Sequence, residues 1–376
     1  MRLAVIQNLP LEYYPPVTNL LDLLSREKAL DVRVFSVENS KNRPPYSKEG
    51  IQIVRAKVPQ PGQNLISRAL LYVDFIRRTL VGLIRFRPQA ILYFEPHSAL
   101  PVYLYSRLFS RSTTVFIHHH EYYEPEQYSG RGMRLTRLAH LCETHYLFSK
   151  ASWISQTNPK RRELFLCDYP GIDPEKVHVM PNYPPSSWGL PNRAWKETGK
   201  PLRCLYLGSL SREDTFIEPL VAWIQSAPHD VFLDIYAYNV PAETAAWLAG
   251  LKSDRIRFFS AGIDYEKLPE ILPDYQVGLI LYRGNTRNFI WNAPNKLFEY
   301  LACGLDVWYP PVMSGIHPFR SEDTSPRVLE VDFEEMDRIP FEKLSQRGNL
   351  GERNVPYDAE TAVADLLSHI RNHSMS

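Results

Sequence analysis

Short apolar runs bounded by turn residues alternate with longer amphipathic stretches along most of the chain. The short runs read as strands buried on both faces, because they lack the polar alternation of a half-exposed strand. The longer stretches repeat apolar residues at three- and four-residue spacing and read as helices packed on a sheet. In the first half the pattern predicts strands over 3–6, 32–35, 52–56, 90–94, 114–118, 153–155 and 177–180. Helices are predicted between them over 17–26, 64–85, 100–109, 131–149 and 159–165.

The pattern then breaks. From Asn182 to Pro201 the sequence NYPPSSWGLPNRAWKETGKP is rich in Pro, Gly and polar residues and has no period. It reads as an interdomain linker, with expected boundaries at 1–182, 183–201 and 202–376. A second alternating series follows, with strands over 203–206, 231–236, 256–259, 277–281 and 307–309. Its helices are predicted over 217–226, 242–251 and 265–272, then one opened by Pro294 and one over 358–371. Strands separated by helices must pair in parallel, which predicts two doubly wound α/β domains.

A chain of 376 residues is long enough for two cores. Its 44% hydrophobic and 23% charged residues fit an ordinary globular protein, and a net charge of +1 gives no pull toward nucleic acid. The four cysteines, Cys142, Cys167, Cys204 and Cys303, lack metal-ligand spacing and read as reduced thiols of a cytoplasmic protein. No apolar run is long enough to span a bilayer, and the first strand is too short for a signal peptide.

Neither half carries the Gly-x-Gly-x-x-Gly turn of nicotinamide and flavin enzymes, nor a Walker-type Gly-Lys-Ser/Thr loop. Phosphate binding must lie elsewhere, and the run NAPNKLFEYLACGLDV, Asn292 to Val307, is the candidate. Pro294 suits a helix start. Asn295 and Lys296 then offer amide N–H groups at the positive end of the helix dipole. Glu299 lies one turn further on the same face, where a carboxylate can accept two hydrogen bonds from a ribose diol. Gly304 ends the helix.

This run resembles the donor-nucleotide motif of the GT-B glycosyltransferases, specifically retaining family 4 (glycosyl transferases group 1). The helix start, Lys296, Glu299 and Gly304 all fall at the spacing of that motif. The resemblance implies two Rossmann-like domains facing a cleft, with a nucleoside diphosphate sugar bound mainly by the second. It implies a turn at Gly208 and Ser209 that admits the diphosphate, with Arg212 as the nearest cation. The implied donor-binding set is Gly208, Ser209, Arg212, Asn292, Pro294, Asn295, Lys296, Leu297 and Glu299. No cofactor or metal is implied.

In the first domain, His118-His119-His120-Glu121 ends a strand and resembles the family's His-Glu segment, with His120 in the place of the active-site histidine. Three consecutive histidines cannot share one site, because strand side chains alternate. Zinc ligation and a structural role are the rival readings. The family's Glu-x7-Glu signature is incomplete: its second Glu is Glu299, but Trp291 stands where the first would be. Asn288 or Asn292 is left to contact the sugar.

Arginines gather on the first domain at Arg68, Arg77, Arg78, Arg85 and Arg87, and again at Arg131, Arg134 and Arg137. In this family such a basic domain meets lipid-linked acceptors, so peripheral contact with the inner, anionic membrane face is expected. The expected activity is sugar transfer with retention to a hydroxyl acceptor, a saccharide or lipid-linked one, in surface polysaccharide or glycoconjugate synthesis. Two alternatives stand beside it: a sugar-nucleotide-binding scaffold without turnover, and a GT-B epimerase using Glu95 and Glu121.

Overall fold

The computed structural model describes residues 1–39, 44–58, 62–130, 132–189, 201–238, 240–345, 351–352 and 357–375. The chain forms two compact units, Met1–Asn182 with Ala359–Ser376, and Tyr183–Asp358.

The first unit contains β1 (Arg2–Gln7), α1 (Pro15–Leu24), β2 (Asp31–Val37), β3 (Ile51–Ala56), α2 (Leu65–Phe86), β4 (Ala90–Phe94) and α3 (Ala99–Leu108). It continues with β5 (Thr114–His119), α4 (Arg134–Cys142), α5 (Phe148–Lys150), β6 (Trp153–Gln156), α6 (Pro159–Asp168) and β7 (Val177–Val179). The strands form one parallel sheet in the order β3-β2-β1-β4-β5-β6-β7. Alternate residues of β1 feed two cores: Leu3 and Val5 one face, Ala4 and Ile6 the other. Helices therefore cover both faces, as buried parallel strands require.

The second unit contains β8 (Leu202–Leu207), α7 (Ile217–Ser226), β9 (Val231–Tyr236), α8 (Ala242–Ala249), β10 (Ile256–Phe259), α9 (Leu268–Ile271) and β11 (Val277–Leu279). Then come α10 (Arg287–Ile290), α11 (Asn295–Ala302), β12 (Asp306–Tyr309), β13 (Thr324–Ser325), β14 (Val328–Glu330), α12 (Phe341–Ser345) and β15 (Gly351–Glu352). Its main sheet, again parallel, runs β10-β9-β8-β11-β12-β14, and β13 pairs with β15. Helix α11 packs tightly on β11. A Cβ at Gly278 would lie 2.2 Å from the Tyr300 ring, so only glycine lets that ring rest on the strand.

Three expectations change. The final helix α13 (Ala359–Met375) belongs to the first unit, not the second. Its Ala359, Val363, Leu366, Leu367 and Ile370 fill the core beside α1. The early part of the expected linker belongs to the second unit, where Trp188 is buried against Tyr265 at 4.6 Å. Residues 190–200 and Arg131 lie outside the described residues. The predicted helix over 131–149 starts at Arg134 and is broken by a π-helical turn, Glu143–Leu147, between α4 and α5.

Candidate active site

Doubly wound sheets bind ligands beyond the carboxyl ends of their strands, where the strand order reverses. In the second unit that point lies between β8 and β11. β8 ends at Leu207, and Gly208 follows with φ +109°, in the left-handed region that favours glycine. A Cβ there would stand 3.1 Å from Lys296 Nζ. Lys296 grows from the first turn of α11 and is buried. Its Nζ donates to the Leu207 carbonyl at 2.5 Å. It also lies 4.5 Å from the Tyr206 ring centroid and 5.0 Å from that of Tyr282, so two aromatic faces favour the cation.

Pro294 is extended and precedes the first helical turn rather than sitting in it. Pro294 gives α11 no side-chain cap, so among the described residues the Asn295 and Lys296 N–H groups stay available to an anion. Leu297 is core, and its N–H is taken by the Pro294 carbonyl at 2.9 Å. The approach to the helix is held from behind. The Gly315 N–H donates to the Ile290 carbonyl at 2.9 Å, and a Cβ on Gly315 would press within 2.5 Å of the Trp291 carbonyl carbon. Asn292, half-buried, lies in this braced segment, and its carbonyl lies against the same glycine.

Arg212 is engaged elsewhere. Its Nε donates to Glu218 at 2.7 Å, and its guanidinium lies over Trp247 at 5.3 Å. Ser209 is exposed, and its carbonyl accepts from the Tyr206 hydroxyl at 2.7 Å. The cation beside Gly208 is therefore the Lys296 ammonium, so this residue offers its side chain as well as its amide.

Glu299 is buried, and its carboxyl makes no hydrogen bond among the described residues. Burial pushes its carboxyl up to about 7, with nearby Lys296 offsetting part of the rise. The folded value lies above the ordinary 4.5, so the stabilising form is the neutral one. Its contribution is intact below about pH 4.5 and is lost as pH rises toward 7. The loss amounts to about 3 kcal/mol. Glu299→Gln should accordingly melt higher than wild type at alkaline pH and equal it in acid, read by thermal midpoints across pH. A midpoint that falls at alkaline pH would show the carboxylate already satisfied.

In the first unit the three histidines divide as alternation requires. His118 and His120 meet on one side, His118 Nε2 to His120 Nδ1 at 3.1 Å. His119 turns away to Glu143 at 3.2 Å. Glu143 is fully buried and is held also by the Tyr93 hydroxyl at 2.9 Å and by His140 at 3.1 Å. The two histidines overcome its burial and hold its carboxyl down at about 2. His120 stacks on Phe94 at 5.2 Å and contacts Asn182 Oδ1 at 3.2 Å through Nδ1. Burial pushes its imidazole down to about 4, so it is neutral at pH 7.

A feature that sequence reading missed lies around these residues. The side-chain amide of Gln7, Glu95 Oε2, His120 Nε2 and Gln156 Oε1 are all buried without a hydrogen-bond partner among the described residues. They sit at or just beyond the carboxyl ends of β1, β4, β5 and β6, four neighbouring strands. Orphaned buried polar groups are costly and rare, and a bound water, ion or ligand can supply the missing partner.

Residues 17–183 match the family described as glycosyl transferase 4-like domain. Sucrose-phosphate synthase from Thermosynechococcus elongatus superposes with a TM-score of 0.67 at 14% identity, covering 99% of this chain and 98% of that one. The chain has the GT-B fold. The match over residues 17–183 is to a family of the kind that the sequence resemblance indicated. HepE from Anabaena, in complex with UDP and glucose, is a further GT-B neighbour, with a TM-score of 0.63 at 12% identity over 99% of each chain. A UDP-GlcNAc 2-epimerase from Neisseria meningitidis, bound to UDP-GlcNAc, reaches 0.60 at 12% identity over 99% of this chain and 100% of its own. Likeness at these identities establishes the GT-B fold alone. No curated protein matches the chain by sequence.

Proposed function

We propose that this chain is a glycosyltransferase that moves a sugar from a nucleoside diphosphate to a hydroxyl acceptor with retention. The observation that carries the reading is the grouping in one helical turn of the Lys296 ammonium, an uncapped helix N-terminus and the unpaired carboxyl of Glu299. The lysine and the amides supply positive charge where a diphosphate would leave. Glu299 accepts from the ribose hydroxyls. Gly208 lets the chain approach closely. HepE's complex with UDP and glucose supports the ligand class.

In the transfer, the bond from the anomeric carbon to the diphosphate oxygen breaks as the acceptor oxygen bonds to that carbon on the same face. The acceptor proton passes to the leaving phosphate. His120 contributes as a neutral imidazole. The tautomer that donates from Nδ1 to Asn182 Oδ1 leaves a lone pair on Nε2 for a sugar hydroxyl. A screen of nucleoside diphosphates by thermal midpoint tests the ligand class, since binding to the folded state raises stability by mass action. No rise with any of them would count against the reading. The second reading is a sugar-nucleotide-binding protein without turnover, favoured by Trp291 in place of the signature's first carboxylate. A transfer assay that detects no product despite nucleotide binding would select it.

For the acceptor, the reading includes contact with an anionic membrane at the inner face. Among the described residues, no helix is long and apolar enough to cross a membrane. On α2, however, Leu65, Ile66, Leu70 and Val73 are exposed, and on α4 so are Leu135, Leu138 and Leu141. Both helices flank α3. Arg68, Arg134 and Arg137 are exposed among these leucines, whereas Arg77 and Arg78 both bond to Asp74, at 2.8 and 2.7 Å. The leucine-rich start of α2 is thus the contact, more than the Arg77 pair. Leu65→Ser with Leu70→Ser should lower binding to anionic vesicles by about 1.5–3 kcal/mol for each leucine that inserts. Reversing Arg77 and Arg78 to Glu should cost about 1 kcal/mol per residue. Co-sedimentation decides it: a wild-type protein that ignores anionic vesicles at low salt makes this face an ordinary surface.

A further inference from the structure

Glu95 follows β4 with φ +63° and ψ 151°. That region of backbone space is tolerated almost only by glycine. A glutamate kept there must hold its place through its side chain. The side chain is buried, and its Oε1 accepts from the backbone N–H groups of His120 at 2.5 Å and Glu121 at 3.2 Å. Those two amides lie just past the end of β5, beyond the strand ladder. The Glu95 N–H in turn donates to the His118 carbonyl at 3.2 Å. Its chain neighbour Phe94 lies flat against the His120 ring, with an interplanar angle of 1°. Arg161 Nη1 closes the arrangement by donating to the His120 carbonyl at 2.6 Å. Two adjacent residues therefore grip His120, one by its ring and one by its backbone.

We infer that Glu95 is the positioning residue of His120, holding the His120–Glu121 backbone so that the imidazole stays on Phe94 and presents Nε2 to substrate. The inference rests on the assignment of His120 to the sugar end. It goes beyond that assignment in giving the strained glutamate a function. It also carries a pH dependence. Burial pushes the Glu95 carboxyl up to about 7, against the pull of His119 and the two amides and with the push of Glu121. Tyr123, Tyr128 and Arg161 are the other titratable or charged groups that feel it. Ionised Glu95 accepts charge-assisted hydrogen bonds, so the grip tightens as pH rises through 7.

The test follows the ring of His120 by NMR, assigned by the resonance lost in His120→Ala, alongside turnover at saturating donor. In wild type the His120 resonance should move between about pH 6 and about pH 8, although the ring itself titrates far lower. In Glu95→Gln, which keeps an acceptor oxygen but cannot ionise, the resonance should stand still over that range. Turnover should then remain at the acid-side level. Glu95→Gly relieves the backbone and removes the grip. It should displace the His120 resonance and lower turnover by roughly 10- to 100-fold, with affinity for the bare nucleoside diphosphate unchanged. A His120 resonance in Glu95→Gly identical to wild type would overturn the inference. If that variant does not fold, a resonance in Glu95→Gln that still moves between the two pH values would do so. Absence of turnover in wild type would strike the transferase reading and leave the ring measurement to judge Glu95.

Discussion

Lys296→Met should lower affinity for a nucleoside diphosphate by roughly 10- to 150-fold. Hydrogen bonds that involve a charged group contribute about 1.5–3 kcal/mol, and the ammonium beside Gly208 is placed to make them with a diphosphate oxygen. Methionine keeps much of the apolar stem, and its sulfur is tolerated near the Tyr206 and Tyr282 rings that face the ammonium. The carbonyl it abandons, that of Leu207, is the last of β8 and adjoins the open turn at Gly208. The fold should therefore survive, and calorimetry reports the lost charge alone. Arg212→Ala is the natural comparison. Its guanidinium is already paired with Glu218, so its removal should change affinity far less. Equal losses from the two variants would mean that Arg212 leaves Glu218 when the nucleotide arrives.

His120→Ala should reduce turnover by roughly 100-fold or more while leaving affinity for the bare nucleoside diphosphate near wild type. The range is that of a single positioned side chain acting on a reacting group. Its neutral state follows from burial, which pushes the imidazole down to about 4, so turnover should show no histidine titration between about pH 6 and pH 8 from this residue. Affinity that falls as far as the rate would make His120 a structural residue, held with His118 and Asn182 for packing alone.

The fold was legible because its signals are local. Buried parallel strands leave short apolar runs, and the two alternating series recovered the seven-stranded sheet and most of the second. What escaped depends on distant partners. β14, Val328–Glu330, is a short strand that forms against β12, with no period of its own. The final helix showed its apolar face in the sequence, but not which core would receive it. At the site, Gly208, Pro294, Lys296 and Glu299 are candidates by their spacing along one helix and one turn. That the Lys296 side chain doubles back to β8 has no such signal, because the pairing spans 89 residues. Arg212 looked available only because Glu218, six residues on, carries no motif. The strain at Glu95 and the orphaned polar atoms of Gln7 and Gln156 have no sequence signature at all. They appear only once the strand ends are brought together.

The turn led by Pro294 is expected to hold a nucleoside diphosphate, with Glu299 on its ribose. Calorimetric titration of UDP, GDP and ADP into wild type and Glu299→Gln at alkaline pH tests it most directly, because Glu299 is then ionised. One of these nucleotides should bind wild type, and the glutamine variant should bind it more weakly by about 1.5–3 kcal/mol while melting at a higher temperature without ligand. Equal affinity in the two proteins, or heat from none of the three nucleotides, would contradict it.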